Sequence, residues 1–489
     1  MTAGVVEGRR LGRDLRLDCD VVVVGSGGGG AVVATELAAS GWNVVVLEEG
    51  ANLSAQRLGK MRQSESLRHV WREGGMTAAF GIGGAPTVNV TMGRGIGGSS
   101  VVTGGVCFRT PGHVLSEWRN SLGLRELTEA AVDPEYSHVE KAIHVEEVPI
   151  SMRSRSTTLF AEGAAKLGTP LVPTRRNTQG CDGCGRCNFG CPHQAKLSVD
   201  LSYLPRAIAS GARVYSDCLV ESVTMKGDRA IGVSGFVMDE HGTKKHALVV
   251  RAKKVVVSAG GVHTPVLLAA SGFSMRKTQV GKNLTLHPGF RVYARFDESV
   301  RGWSGAMQSA YTDAHVKDHV TLMSLFVPAS VIAATMPGSG PRHAALAEKV
   351  PNIAMFGALI HDEGGGVILR NPIGREPFML YRATKRDQKS MRRGIELLAK
   401  TFLAAGAKEI FIPVLGQEGL TASEAARYDY SSIPIGRLEC ASQHPLGSCR
   451  MGMTREHSVV DTFGKVWDTR GLYVADGSLV PTSLGVNPQ

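Results

Sequence analysis

The chain has 489 residues and a formal charge of +11, with 55 Lys and Arg against 44 Asp and Glu. That length supplies core for two or three domains, and no low-complexity tract or short repeat interrupts it. No apolar run is long enough to span a membrane, and Arg9-Arg10 is not followed by the apolar stretch of a secretory or twin-arginine signal. The basic residues are scattered, and Arg-rich stretches such as Met391–Gly394 read as solvated helix faces. Nucleic acid is therefore not the expected partner, and a basic docking face for an acidic one is the remaining use of the charge. The expected compartment is the cytoplasm, where structural disulfides among the nine cysteines are not expected.

Residues up to Asp18 are polar and read as a frayed lead-in. Val21–Glu48 then spells strand, glycine turn, helix and second strand. The apolar, β-branched run Val21–Val24 has the pattern of a parallel strand buried on both faces. Gly25, Gly27 and Gly30 give G-x-G-x-x-G where the helix must begin, and Gly41 stops that helix after Ser40. The glycines allow a tight turn, a close backbone approach to a pyrophosphate, and close packing of helix on strand. A diphosphate would sit on the free N–H groups of the helix start. Glu48 ends the second strand, where a carboxylate hydrogen-bonds both ribose hydroxyls and repels a 2′-phosphate. The unit predicts an ADP-dinucleotide, FAD or NAD rather than NADP.

Ser54–Glu73 is polar, basic and helical in pattern. Gly93–Arg109 (GRGIGGSSVVTGGVCFR) is glycine-rich around an apolar Val101-Val102, so its backbone is expected to lie directly against a flat or charged group. Helical, charged sequence follows over 116–148, and Thr157–Leu167 reads as a further amphipathic helix.

Cys181, Cys184, Cys187 and Cys191, followed by Pro192, have the spacing C-x2-C-x2-C-x3-C-P. Thiolates from one tight loop at this spacing suit an iron–sulfur cluster, three-iron or four-iron. Cys191 completes the set, or a distant Cys218, Cys440 or Cys449 does so. Zinc and an empty loop are the rival readings, although zinc would crowd four ligands into one loop.

Gly211–Val220, Ala230–Met238 and His246–Arg251 alternate like an antiparallel meander, and Lys254–Ala259 reads as another parallel strand. Gly260–Gly272 is a turn and helix with Pro265 near the first turn. From Phe290 to Pro434, strand-like runs alternate with an amphipathic helix over Arg386–Gly406, and no catalytic constellation shows. Near the end, Ser442–Gly452 reads SQHPLGSCRMG and Gly471–Gln489 reads GLYVADGSLVPTSLGVNPQ. His444 precedes a proline, which biases it toward an extended conformation; His287-Pro288 repeats the dipeptide in another context. Asp476-Gly477-Ser478, after the short strand Leu472–Ala475, can meet a phosphate or ribityl chain.

From Asp20 to Gln489 the chain resembles the glucose–methanol–choline (GMC) oxidoreductases, flavoenzymes acting on alcohols. The blocks that carry this are the nucleotide unit, GRGIGGSS, SAGGVHTPVLLAASG, HPLGSCRMG and GLYVADGSLVPTSLGVNP. The cysteine run resembles a subset with a cluster near the flavin, as in bacterial sugar and polyol dehydrogenases. The resemblance implies an α/β fold: a Rossmann-type FAD-binding domain, p-hydroxybenzoate-hydroxylase-like, with a discontinuous α+β substrate domain. FAD-binding parts would cover 15–115, 201–289 and 435–489, a cap or substrate region 116–200 with the cysteine loop at 181–192, and the substrate-binding domain 290–434.

The resemblance further implies FAD as cofactor, held at Gly97, Gly98, Ser99, Thr103, Val220, Asp476, Gly477, Asn487 and Pro488 as well as the nucleotide unit. His444 matches the catalytic histidine and Asn487 its partner. The implied reaction converts an alcohol, sugar, polyol or sterol to a carbonyl, with neutral His444 taking the hydroxyl proton at a pKa near working pH. A cluster favours a dehydrogenase whose electrons pass to a cytochrome, quinone or redox protein. An oxygen-using oxidase, a hydroxynitrile-lyase-like enzyme and a non-catalytic electron carrier are the alternatives. Many members have Asn where this chain has Thr103, and members usually continue past the NP pair as a helix, which would steady Asn487.

Overall fold

Val21–Val24 is buried because parallel strands flank it and helices cover both faces. In the computed structural model, which describes residues 2–489, Leu15–Val24 pairs in parallel with Val44–Leu47 on one side and Lys244–Val257 on the other. The sheet order is Val5–Glu7, Arg213–Ser216, Val44–Leu47, Leu15–Val24, Lys244–Val257, Arg229–Met238, Cys218–Lys226. Leu472–Val474 pairs in parallel with Val255, Val256 and Val257. The helix Gly28–Ala39 turns Ala31, Ala34 and Ala38 to the sheet, small side chains that let it lie close.

Two local expectations are corrected here. The lead-in is not frayed: Val5–Glu7 is the edge strand, paired with Arg213–Ser216, because alternate residues of a short β-branched run suffice to extend a sheet. Gly211–Val220 is not one meander strand. The chain breaks at Asp217, which has φ +58°, so Arg213–Ser216 joins the parallel sheet and Cys218–Lys226 starts the meander. Lys244–Val257 is one 14-residue strand, antiparallel to Arg229–Met238 at its start and flanked by parallel partners at its end.

The second sheet has twelve strands and is assembled from distant pieces. Gly289–Arg295 and Ile353–Ile360 form its centre, and Cys440–Ser442 connects them to Val88–Val90 and Ala78–Ile82, with Phe378–Arg382 and Val367–Leu369 at the far edge. Helices Arg155–Lys166 and Lys385–Ala404 cover one face; Phe160 stacks on Phe356 at 3.7 Å and meets Phe402 edge-on at 5.0 Å. Thr384 and Asp387 form a capping box that starts the longer helix. The helical sequence expected at 54–73 and 116–148 folds as Ala55–Lys60, Gln63–Val70, Gly112–Ser121 and Glu129–Ala142. No helix among the described residues is long and apolar enough to cross a membrane.

Candidate active site

A cavity of about 1030 Å³ lies between the two sheets, at the carboxyl ends of the parallel strands. Gly25 and Gly27 line it, together with Gly28 and Gly29 of the first helical turn. A side chain on Gly28 would meet open space, whereas one on Gly29 would fall 1.8 Å from the Ala475 carbonyl oxygen. The helix start is thus bare toward the cavity and pressed against the strand end on its other side. Gly30 does not reach the cavity; its absent Cβ is the space taken by the Gly25 carbonyl. Glu48 is buried at the cavity wall and accepts from the Ser26 amide (3.1 Å) and hydroxyl (2.8 Å) and from the Gly50 amide (2.9 Å). Its two oxygens keep lone pairs for further donors.

Gly98, Ser99 and Thr103 line the cavity beyond the glycine turn, and Gly97 sits behind them, donating its amide to Ser26 Oγ at 3.1 Å. Gly97 has φ +93° and Gly25 φ +102°, values that favour glycine. Val220, Asp476, Gly477 and Pro488 complete the expected lining. Asp476 accepts from the Gly260 amide (2.9 Å), the Thr264 hydroxyl (2.5 Å) and the Ser478 amide (2.8 Å). It therefore joins the start of helix Gly260–Ala270 to the end of the chain's last strand, and burial raises its pKa.

His444 and Asn487 meet in the cavity wall, Asn487 Nδ2 lying 3.2 Å from His444 Nε2. The amide donates to a neutral ring, and Asn487 Oδ1 and His444 Nδ1 have no hydrogen-bond partner among the described residues. Burial lowers the His444 pKa to about 4. The ring is thus neutral at working pH, as expected, but through desolvation, which places its pKa below the near-neutral value anticipated.

What holds His444 was not legible as a motif. The helix Gly260–Ala270 comes so near that a Cβ on Gly261 would lie 1.9 Å from the Pro445 oxygen. Pro265 stands in the second turn of that helix, not the first, and its ring leaves the Gly261 carbonyl without its helical donor; Ser448 Oγ donates there instead at 2.5 Å. Ser442 Oγ accepts from the His444 amide at 3.0 Å and donates to the Leu286 carbonyl. His287, which the sequence offered only as a repeat of the dipeptide, faces His444 edge-on with ring centres 5.5 Å apart. Its Nε2 accepts from the Leu484 amide at 2.6 Å, and the buried Asp362 takes the Leu286 and His287 amides at 3.1 and 3.0 Å. Thr321 Oγ1 holds the Gly485 carbonyl at 2.8 Å and Trp118 Nε1 holds Thr482 at 2.7 Å, so the segment carrying Asn487 is pinned from three directions. Gln308, which belonged to no readable pattern, also lines the cavity, as does Gln443 beside His444 in the SQHPLGSCRMG run.

The cysteine loop lies behind the glycine-rich wall. Cys187 is buried, Cys181 and Cys191 are half-buried, and Cys184 is exposed. Asp182, Cys184 and His193 present ligand-type atoms within 4.8 Å of one another. Two fully buried cations tie the loop to the cavity wall. Arg176 donates to the Gly104 carbonyl (2.8 Å) and to Cys187 Sγ (3.1 Å). Lys196 donates to the carbonyls of Val101 (2.8 Å), Thr103 (2.7 Å) and Cys187 (3.0 Å). Burial lowers the Lys196 pKa to about 8. Cys218 and Cys449 sit in the core of the nucleotide sheet and Cys440 in that of the larger sheet, with burial raising their thiol pKa values.

The fold, the cavity and the sequence agree on a family. The GMC oxidoreductase family model matches residues 20–289 and 373–489, and the chain belongs to that family. A GMC-type oxidoreductase of Mycobacterium tuberculosis is 34% identical over 96% of this chain and 73% of its own length. A long-chain-alcohol oxidase of Arabidopsis thaliana is 29% identical over 97% of this chain and 65% of its own. A cholesterol oxidase of Acinetobacter baumannii is 24% identical over 96% and 92%. Among solved structures, pyridoxine 4-oxidase from Mesorbium loti superposes with a TM-score of 0.72 at 17% identity, covering 96% of each chain. An Aspergillus oryzae formate oxidase variant, studied for its FAD modification, gives 0.69 at 17% identity over 96% and 95%. The residues present fit an FAD: a bare helix start for the diphosphate and a carboxylate at Glu48 for the ribose, both in the cavity wall.

Proposed function

We propose that this chain is an FAD-dependent dehydrogenase that oxidises the CH–OH group of a small-molecule alcohol to a carbonyl and passes the electrons through an iron–sulfur cluster to an external acceptor. The observation that carries the reaction is the His444–Asn487 pair, 3.2 Å apart in the wall of the cavity that the glycine turn also lines. An alcohol oxygen that takes the place of the Asn487–His444 hydrogen bond gives its proton to His444 Nε2 and accepts from Asn487 Nδ2. Held this way, the carbinol C–H is presented to the cavity while negative charge on oxygen is met by two polar groups. FAD, when bound, supplies the acceptor for that hydrogen and its two electrons. The names of the alcohol and cholesterol oxidases support an alcohol or sterol as the substrate class.

Cys181, Cys184, Cys187 and Cys191 would hold the cluster, which when bound supplies a one-electron exit. Arg176 and Lys196 support an anionic centre there. Each is buried, neither forms an ion pair with a carboxylate among the described residues, and both touch Cys187. The Asp200 carboxylate offsets part of the Lys196 charge, and thiolates or a cluster at Cys187 would supply further counter-charge to both buried cations.

The second reading is an oxidase that uses oxygen directly, favoured by the names of those same relatives. Iron and acid-labile sulfide on anaerobically purified protein, together with acceptor preference, separate the two. The dehydrogenase reading predicts about three or four irons per flavin, with turnover on a dye and little peroxide. Flavin without iron, with stoichiometric peroxide from oxygen, would favour the oxidase.

A further inference from the structure

Large apolar side chains are gathered on the open edge of the larger sheet. Met76 (81% exposed), Phe80 (52%) and Ile82 come from one strand and its approach; Phe378 and Leu369 come from the next two. The register makes them neighbours: Leu380 lies opposite Phe80, Arg382 opposite Ile82, and Leu369 opposite Phe378. Ala79, Met379, Tyr381 and Ile368 point the other way into the core, so the outward set is one continuous face. At the hairpin tip between the last two strands, Ile373 is 98% exposed. Soluble surfaces scatter such residues singly; a patch of this kind marks a contact.

Arginine edges the patch. Arg370 and Arg382 are exposed and have no ion-pair partner among the described residues. The acidic groups closest in sequence are already engaged, Glu376 by Arg72 and His263, Glu363 by Arg386, and Asp387 in the cap of its helix. A second copy of the chain would bring these free guanidinium groups together with no carboxylate to answer them, on a molecule already at +11. An anionic lipid surface answers both features, since its headgroups attract arginine and its acyl boundary takes Ile373 and the phenylalanines. We infer that the sheet edge bearing Phe80, Phe378, Ile373 and Arg382 docks the protein on an anionic phospholipid membrane. The inference does not rest on the proposed reaction. Arg370, Asn371 and Pro372 before Ile373, and Gly374, Arg375 and Glu376 after it, also line the cavity, so docking places part of the cavity rim at the lipid surface.

The test is co-sedimentation of the FAD-loaded chain with phosphatidylcholine vesicles, with and without phosphatidylserine. The wild type pellets with the phosphatidylserine vesicles, and salt weakens that binding. Arg382→Glu, and separately Phe80→Ser with Phe378→Ser and Ile373→Ser, each lower the bound fraction by about tenfold with flavin content retained. If the serine variant fails to fold, Arg382→Glu still decides the matter. Equal binding by wild type and Arg382→Glu would overturn the inference. So would a concentration-dependent dimer in sedimentation equilibrium that the same substitutions abolish, since that would assign the face to a second copy.

Discussion

Replacing His444 with alanine lowers kcat by roughly a thousandfold, within the span that general-base catalysis contributes, and leaves FAD bound. In the proposed reaction the ring supplies the nitrogen that takes the hydroxyl proton, with Asn487 beside it at 3.2 Å. The helix start and Glu48, which would hold the cofactor, are held by Ser26, Gly50 and the Ala475 contact and do not involve this ring. The pH dependence gives the proposal a second readout. In the proposed reaction His444 is the neutral base, and burial lowers its pKa to about 4. Activity is therefore lost as pH falls through that region, and the acid limb of kcat/KM lies below the ordinary imidazole value. An alanine variant that keeps wild-type turnover, or an acid limb unchanged by the substitution, would remove His444 from the reaction.

Gly29→Ala has the second large effect, because its Cβ would sit 1.8 Å from the Ala475 oxygen and 2.7 Å from the Ala475 carbon. Neither side yields easily. The carbonyl belongs to the end of Leu472–Val474, which is fixed in the sheet against Lys244–Val257, and the next residue, Asp476, caps helix Gly260–Ala270. Moving the helix instead pulls its amides away from the cavity. A loss of about 3 kcal/mol in denaturant unfolding is expected, together with loss of bound flavin. Gly28→Ala separates the two consequences. Its Cβ meets nothing within 4 Å, so unfolding stays near wild type, while the methyl group projects into the cavity and flavin content falls. Equal stability of the two variants would contradict this account of the glycine turn.

The nucleotide unit was readable because every part of it leaves a local mark: a buried parallel strand is apolar throughout, and a helix start that faces an anion needs bare glycine. The larger sheet was not, since its strands are short and their partners distant. Ala78–Ile82 finds Phe378–Arg382, Val88–Val90 finds Cys440–Ser442, and Val172–Pro173 finds Ala310–Thr312. Strands of two to five residues carry too little alternation to register as a pattern. At the site, HPLGSCRMG and the NP pair were visible, while their supports were not. Gly261, Ser448 and His287 act through single close approaches or hydrogen bonds across more than a hundred residues, which no periodicity records. Gly29 was masked by its neighbours in a run of four glycines. Val5–Glu7 was misread because a polar lead-in with one strand-length run looks the same whether or not a sheet edge is available.

The most direct measurement is the visible spectrum of the anaerobic, FAD-loaded protein on addition of long-chain alcohols, sterols and polyols in turn. The proposed reaction predicts that at least one class bleaches the flavin band, with one carbonyl product formed per flavin, and that His444→Ala shows no bleaching with the same compound. A flavin that dithionite reduces but no alcohol does would contradict the assignment of alcohol oxidation to this site.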